Sequence, residues 1–290
     1  MTPSVYTHRP PPLLEVRVHL ADLVPAVRGL CTGYDRGAWR NDDLAGYLFE
    51  YLPDFALRHG ELGPEGHEMW VAKLVEAART VYTTGKFQRR GEFGELLLHA
   101  VIREIWPSEP AVSKIYYKDG PNQTVKGFDA VHAVLAEGSP LELLLGEVKF
   151  YRSIDKAMTD AAKELRDHFG NDEWLRSEFV AVTRKLDHSW PHAAELRELL
   201  HRRRTLDEIV SRVRVPVLLT YESACVDGHT SCSDAYCEQL AEEIAGIRER
   251  FSGRTLPKDV TIELLLVPMH RKADLIKSLE TRLRAWRLIA

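Results

Sequence analysis

No run of apolar residues in this chain is long enough to cross a bilayer, and no basic start followed by an apolar stretch marks it for export. The expectation is a cytoplasmic protein with no membrane partner. Cysteine is scarce, four in 290 residues, so a disulfide framework is excluded as the source of stability and the thiols read as reduced. No tract is low in complexity and no internal repeat is visible, which excludes a disordered chain and a solenoid. Positive charge is not in excess either. The formal net charge of −4 disfavours a surface that binds nucleic acid all over, because phosphate contacts need local positive charge. A cleft built from carboxylates is still allowed.

What is present suffices for a sizeable core. The chain is 44% hydrophobic and 28% charged, the balance of one large α/β domain or a domain plus an elaboration. Residues 1–12, with Pro10-Pro11-Pro12, read as an extended arm, and 13–20 as an edge strand. From 22 to 84 the apolar spacing is helical, as in Leu23, Val27 and Leu30. A helix is expected over 92–106, stopped by Pro107. Three apolar runs follow, 112–118, 125–135 and 141–151, separated by turn residues, and these predict an antiparallel meander. Helical spacing returns over 154–169. Beyond it, 179–183 reads as a short strand, 193–210 as a helix, 213–221 as a buried strand, 235–250 as a helix, 260–267 as a strand and 273–288 as a closing helix. Alternating strands and helices favour a mixed sheet. The expected division is an N-terminal arm and helical region at 1–85, a cap or docking layer, followed by 86–290.

The chemistry is concentrated between residues 90 and 152. Side chains alternate faces along a strand, so in the third run Glu147 and Lys149 point the same way, roughly 6–7 Å apart. A carboxylate beside an ammonium within so apolar a run carries a desolvation cost that something must offset. A divalent cation does so. Glu147 would bind it, the Val148 backbone carbonyl would complete an edge, and Lys149 would orient or deprotonate an attacking water. In the second run Asp129 is a lone carboxylate in a strand-like segment, 18 residues before Glu147, the length of two adjacent strands and a turn. Gly127 lets a substrate or another backbone approach closely. One Mg²⁺ takes one or two protein carboxylates and completes its shell from water and phosphate oxygens, so this pair suits it, with Mn²⁺ as a substitute. On the preceding helix Glu92, Glu95, His99 and Arg103 form a polar stripe. Glu95 is the first choice for a metal-proximal acid and Glu92 the alternative. Singly, each feature has a bland reading: a chance Glu-x-Lys, a turn aspartate, a solvated helix face. Together, in this order and at these intervals, they are specific.

These residues resemble the PD-(D/E)xK nuclease superfamily, with the motif falling on Glu95, Asp129, Glu147 and Lys149. Phe128 stands where the superfamily's name has proline. The segments 90–99, 113–117, 125–132 and 145–151 look more particularly like the HamA nucleases of Hachiman antiphage defence systems, a likeness that covers roughly 80–225. The resemblance implies an α/β fold with a restriction-endonuclease-like core: a helix, a three-stranded antiparallel meander, a helix, and further strands in a mixed sheet. It implies a Mg²⁺-dependent deoxyribonuclease of low intrinsic sequence specificity, acting on DNA with a HamB-like helicase subunit in bacterial immunity. A non-catalytic helicase-docking adaptor and a stand-alone restriction-type endonuclease are the rival readings.

Lesser signals complete the expectations. Lys114, Lys118 and Lys126 lie near the motif in sequence and are candidate DNA contacts, as are Arg202 and Arg203 in the densest basic run. His132 reads as a packed histidine. Cys225, His229, Cys232 and Cys237 match no common zinc-finger spacing and read as a polar loop with incidental thiols.

Overall fold

The computed structural model describes residues 5–6, 9–63, 69–83, 91–113, 127–135 and 138–289. Its elements run β1 (Glu15–Leu20), β2 (Ala26–Cys31), β3 (Tyr34–Asp35), β4 (Ala38–Trp39), α1 (Asn41–Glu50), α2 (Leu52–Ala56), α3 (His59–Leu62), α4 (Trp70–Thr83) and α5 (Glu92–Ile105). Then come β5 (Ser108–Pro110), β6 (Ala130–Val134), β7 (Glu142–Phe150), α6 (Ile154–Phe169), α7 (Asp172–Lys185), α8 (Ala193–Leu199) and α9 (Leu206–Val210). The chain closes with β8 (Val213–Glu222), α10 (Ala224–Gly228), α11 (Asp234–Ser252), β9 (Thr261–Met269) and α12 (Lys272–Ile289). Among the described residues no helix is long and apolar enough to cross a membrane.

Seven strands form one mixed sheet in the order β1-β2-β9-β8-β7-β6-β5. The three central strands β9, β8 and β7 are parallel and covered on both faces, which is why they read as continuous Leu/Val runs and not as alternating ones. On one side β5, β6 and β7 make the antiparallel meander. On the other, β2 pairs parallel with β9 and β1 lies antiparallel at the edge. Fold class and core order match the expectation.

Several local expectations are corrected. Val27 and Leu30 belong to β2 and not to a helix, and β3–β4 follow as a hairpin turned at Arg36-Gly37, both with positive φ. Residues 179–183 lie inside α7, whose N-terminus is capped by the Asn171 side chain. The helix expected over 193–210 is two, because Thr205 starts α9 with its own capping box. The first meander strand is Ser108–Pro110; residues 111–113 are not strand, and 114–118 fall outside the described residues. Independently of these corrections, β2 pairs with β9, and one hydrophobic cluster runs from Tyr6 to Leu283.

Two helices frame β7. α5 lies on the face that shows Gly146, Val148 and Phe150, so closely that a Cβ on Gly94 would come within 2.7 Å of the Phe150 Cβ. α6 covers the opposite face, where Glu147 and Lys149 point.

Candidate active site

β7 delivers Glu147 and Lys149 side by side, as strand alternation requires. The Lys149 Nζ donates to Glu147 Oε1 at 2.6 Å and to the carboxylate of Glu164, which α6 sends in from above. Lys149 and Glu147 are 7% and 2% exposed, so this ion pair is set in low dielectric.

Asp129 arrives where the β6–β7 ladder ends. Its N–H donates to the Gly146 carbonyl at 2.8 Å, and its carboxylate accepts from the Val148 N–H at 3.0 Å. The side chain thus takes the place of a strand partner for a backbone donor and sits against the edge of β7 beside Glu147. Glu95, Gly127, Asp129, Glu147, Lys149 and Glu164 all line one cleft of about 790 Å³. Glu95 reaches it from the α5 side; Glu92, the alternative acid, is buried and is not among the lining residues.

The charges in the cleft are strained. Burial, then the Asp129 carboxylate and the hydrogen bond to Glu164, holds Glu147 well above the ordinary carboxylate range. Burial also raises Glu164, but its hydrogen bonds with Glu147 and Lys149 outweigh that and bring it below its usual value. Burial works against the Lys149 ammonium, yet the carboxylates of Glu147 and Asp129 prevail and keep its pKa above normal. The local picture is one ammonium among three carboxyl groups, those of Asp129, Glu147 and Glu164. Such excess negative potential is what a divalent cation would relieve, so the donor set fits one. Among the described residues no three His, Cys, Asp or Glu side chains are grouped to hold an ion by themselves. A cation would draw on Asp129 and Glu147 and complete its shell from water and substrate oxygens, the arrangement Mg²⁺ favours.

Not every candidate lies here. The stripe on α5 divides: Glu95 faces the cleft, whereas His99 and Arg103 are buried in a separate polar network. Arg103 pairs with Asp54 at 3.2 Å and donates to the carbonyls of Ser108 and Tyr6, and His99 Nδ1 lies 3.1 Å from His132 Nε2. His132 is packed, as expected. Arg202 and Arg203 sit between α8 and α9 and are not among the residues that line the cleft. Lys114, Lys118 and Lys126 fall outside the described residues. Cys31 and Cys225 are buried, and the Cys31 Sγ lies 2.8 Å from the Tyr236 hydroxyl.

The sequence reading missed Glu164, and with it Lys163, His168, Asn171, Trp174 and Lys272, all of which line the cleft. A signal was there: Asp160, Glu164 and His168 recur every four residues beside the buried stripe of Ala157, Ala161 and Leu165. Compared with known families, residues 13–283 match the family model described as HamA. No curated protein matches the chain.

Proposed function

The chain belongs to the HamA family, antiphage defence proteins of the Hachiman type, and on that premise we propose that it is the metal-dependent DNA nuclease subunit of such a system. The observation that supports this most is the convergence of Asp129, Glu147 and Lys149 on one cleft. In this reading Asp129 and Glu147 hold Mg²⁺, or Mn²⁺ in its stead, with the Val148 carbonyl at the edge of the site. When bound, the ion supplies charge neutralisation at the scissile phosphate. Lys149, held as an ammonium by its carboxylate neighbours, orients the attacking water and stabilises the charge that develops. Glu164 fixes the Lys149 side chain, and Glu95 shapes the α5 wall.

Strand contacts would come from Lys163 and Lys272 in the cleft, with Lys114, Lys118, Lys126, Arg202 and Arg203 as further candidates. A HamB-like helicase would bring the DNA, so cleavage specificity rests with the partner. The test is cleavage of plasmid and linear DNA by the purified chain with Mg²⁺ or Mn²⁺, alone and with that helicase. Glu147→Ala and Lys149→Ala should each lower the rate by on the order of 10²–10³-fold or more while circular dichroism stays native. Full cation-dependent cleavage by both variants would remove the assignment.

A further inference from the structure

The cleft has a second wall that hydrolysis does not use. α6 ends at Phe169 and α7 begins at Asp172, and the turn between them lays the His168 ring flat on Trp174, centroids 4.1 Å apart and planes 8° from parallel. Phe128, the residue before Asp129, closes edge-on against both rings at 5.1 and 5.7 Å. Asn171 locks the turn, its Oδ1 accepting the Trp174 N–H at 3.0 Å. Burial holds His168 below the ordinary histidine pKa, so at neutral pH it is an uncharged ring under the indole.

This stack is anchored to the core on one side, through Phe128 and Phe169. On the other side it stays partly exposed: His168, Asn171 and Trp174 line the same cleft as Asp129 and Glu147. A rigid, partly wet aromatic surface beside a phosphodiester-cutting site has an evident use. Every nucleobase has a π-face, and stacking on an aromatic side chain holds a strand without reading its sequence. A base inside a duplex already has both faces covered and must be unstacked first.

Resting on the nuclease reading above, we propose that Trp174, stiffened by His168 and Phe128, is a platform that stacks an unpaired nucleobase of the DNA strand in the cleft. The preferred substrate is then unpaired DNA, the form that a helicase generates. Asn171 and His168 are positioning residues; Trp174 makes the contact.

The experiment measures binding and not cleavage, using the full chain in EDTA and fluorescence anisotropy of a labelled oligodeoxythymidine. A second set is cut to the shortest strand that still binds, which fixes the register, and carries one abasic position moved stepwise along it. The wild type should lose about 5- to 150-fold in affinity at one abasic position, the range for removing one stacked base, and little elsewhere. Trp174→Leu should bind the intact strand that much more weakly and show no dependence on abasic position, while Trp174→Phe retains most of the effect. Fully paired DNA should bind both proteins alike. The scan on the wild type needs no variant to fold. Absence of any sensitive position, absence of binding, or an equal loss of single-stranded and duplex binding in Trp174→Leu would overturn the platform. The hydrolytic assignment is judged separately, by Lys149→Ala cleavage.

Discussion

One ammonium, that of Lys149, sits between two carboxylates supplied by different elements, Glu147 from β7 and Glu164 from α6. Glu164→Gln keeps the shape and removes the charge, so Lys149 should stay in place but less firmly. We expect single-turnover cleavage to fall about tenfold, less than in Lys149→Ala, with little change in thermal midpoint. An unchanged rate would leave Glu164 a spectator. That Glu147 and Lys149 share a face was legible in the sequence because strand alternation fixes it, and Asp129 was read from its 18-residue interval to Glu147. Glu164 was not, because a carboxylate on an amphipathic helix looks the same whether water or a cleft faces it. A different residue makes a prediction about pH. Burial, with Arg103 adding to it, lowers His132 to about 3, whereas an unfolded histidine titrates near 6.5. Below about pH 6.5 the unfolded chain therefore takes up a proton that the folded chain refuses. The stability this histidine contributes is intact above that pH and drains toward pH 3, by at most about 1.4 kcal/mol per pH unit. His99 acts in the same direction. Asp54, raised to about 6 by burial, acts in the opposite one, so the wild-type profile alone is ambiguous. The comparison with His132→Gln isolates one proton: between pH 6.5 and pH 5 the wild type should lose about 2 kcal/mol more than the variant in urea unfolding. A difference that is flat with pH would show that His132 is not held neutral.

At the scale of elements, the tightest joint is α5 on β7. A Cβ at Gly94 would lie 2.7 Å from the Phe150 Cβ, an atom next to the backbone that cannot swing away. Gly94→Ala should therefore cost about 1–3 kcal/mol and, by shifting Glu95 against β7, slow cleavage as well. Gly246→Ala is the internal control: it lies exposed on α11 with nothing described within 4 Å, so the same change should stabilise by about 0.5–1 kcal/mol. Equal denaturation midpoints for the two variants would contradict the packing. Elements were most legible where periodicity and punctuation agree, as at α6, whose bounds Ile154–Phe169 coincide with the expectation, with Ser153 as its cap. They were least legible where two periods fit the same residues. Leu23, Val27 and Leu30 have helical spacing by accident; Val27 pairs with β9 and Leu30 with β1, and Leu23 lies in the bend before β2. Phe179-Val180-Ala181-Val182-Thr183 has strand propensity, yet it continues a helix that Asn171 has already started, and Phe179 and Val182 fall on its buried face. Tertiary context overrode local preference in both.

Across the whole molecule, the question is whether residues 86–290 stand alone. Their β9 would present an open edge without β2, because Ala26 to Gly29 pair along Glu263 to Leu266. Val27 and Leu30 are fully buried, and the Ile244 side chain of α11 closes directly over Gly29. The first half also satisfies charges in the second: Asp54 pairs with Arg103, the Tyr6 carbonyl accepts from it, and Tyr47 donates to Glu104. At the far end Arg282 of α12 donates to the Asp42 carbonyl in the first turn of α1. Removing residues 1–85 would thus strand a buried guanidinium and expose a long apolar strand edge together, and either alone is destabilising by several kcal/mol or aggregation-prone. The full chain should unfold in one transition, and a fragment of residues 86–290 should be insoluble or lack cooperative unfolding and cleave nothing. A soluble fragment with its own sharp transition and metal-dependent cleavage would mean the opposite: the N-terminal strands would be an appendage on a self-sufficient nuclease, and the continuity of the sheet would carry no part of the site's stability.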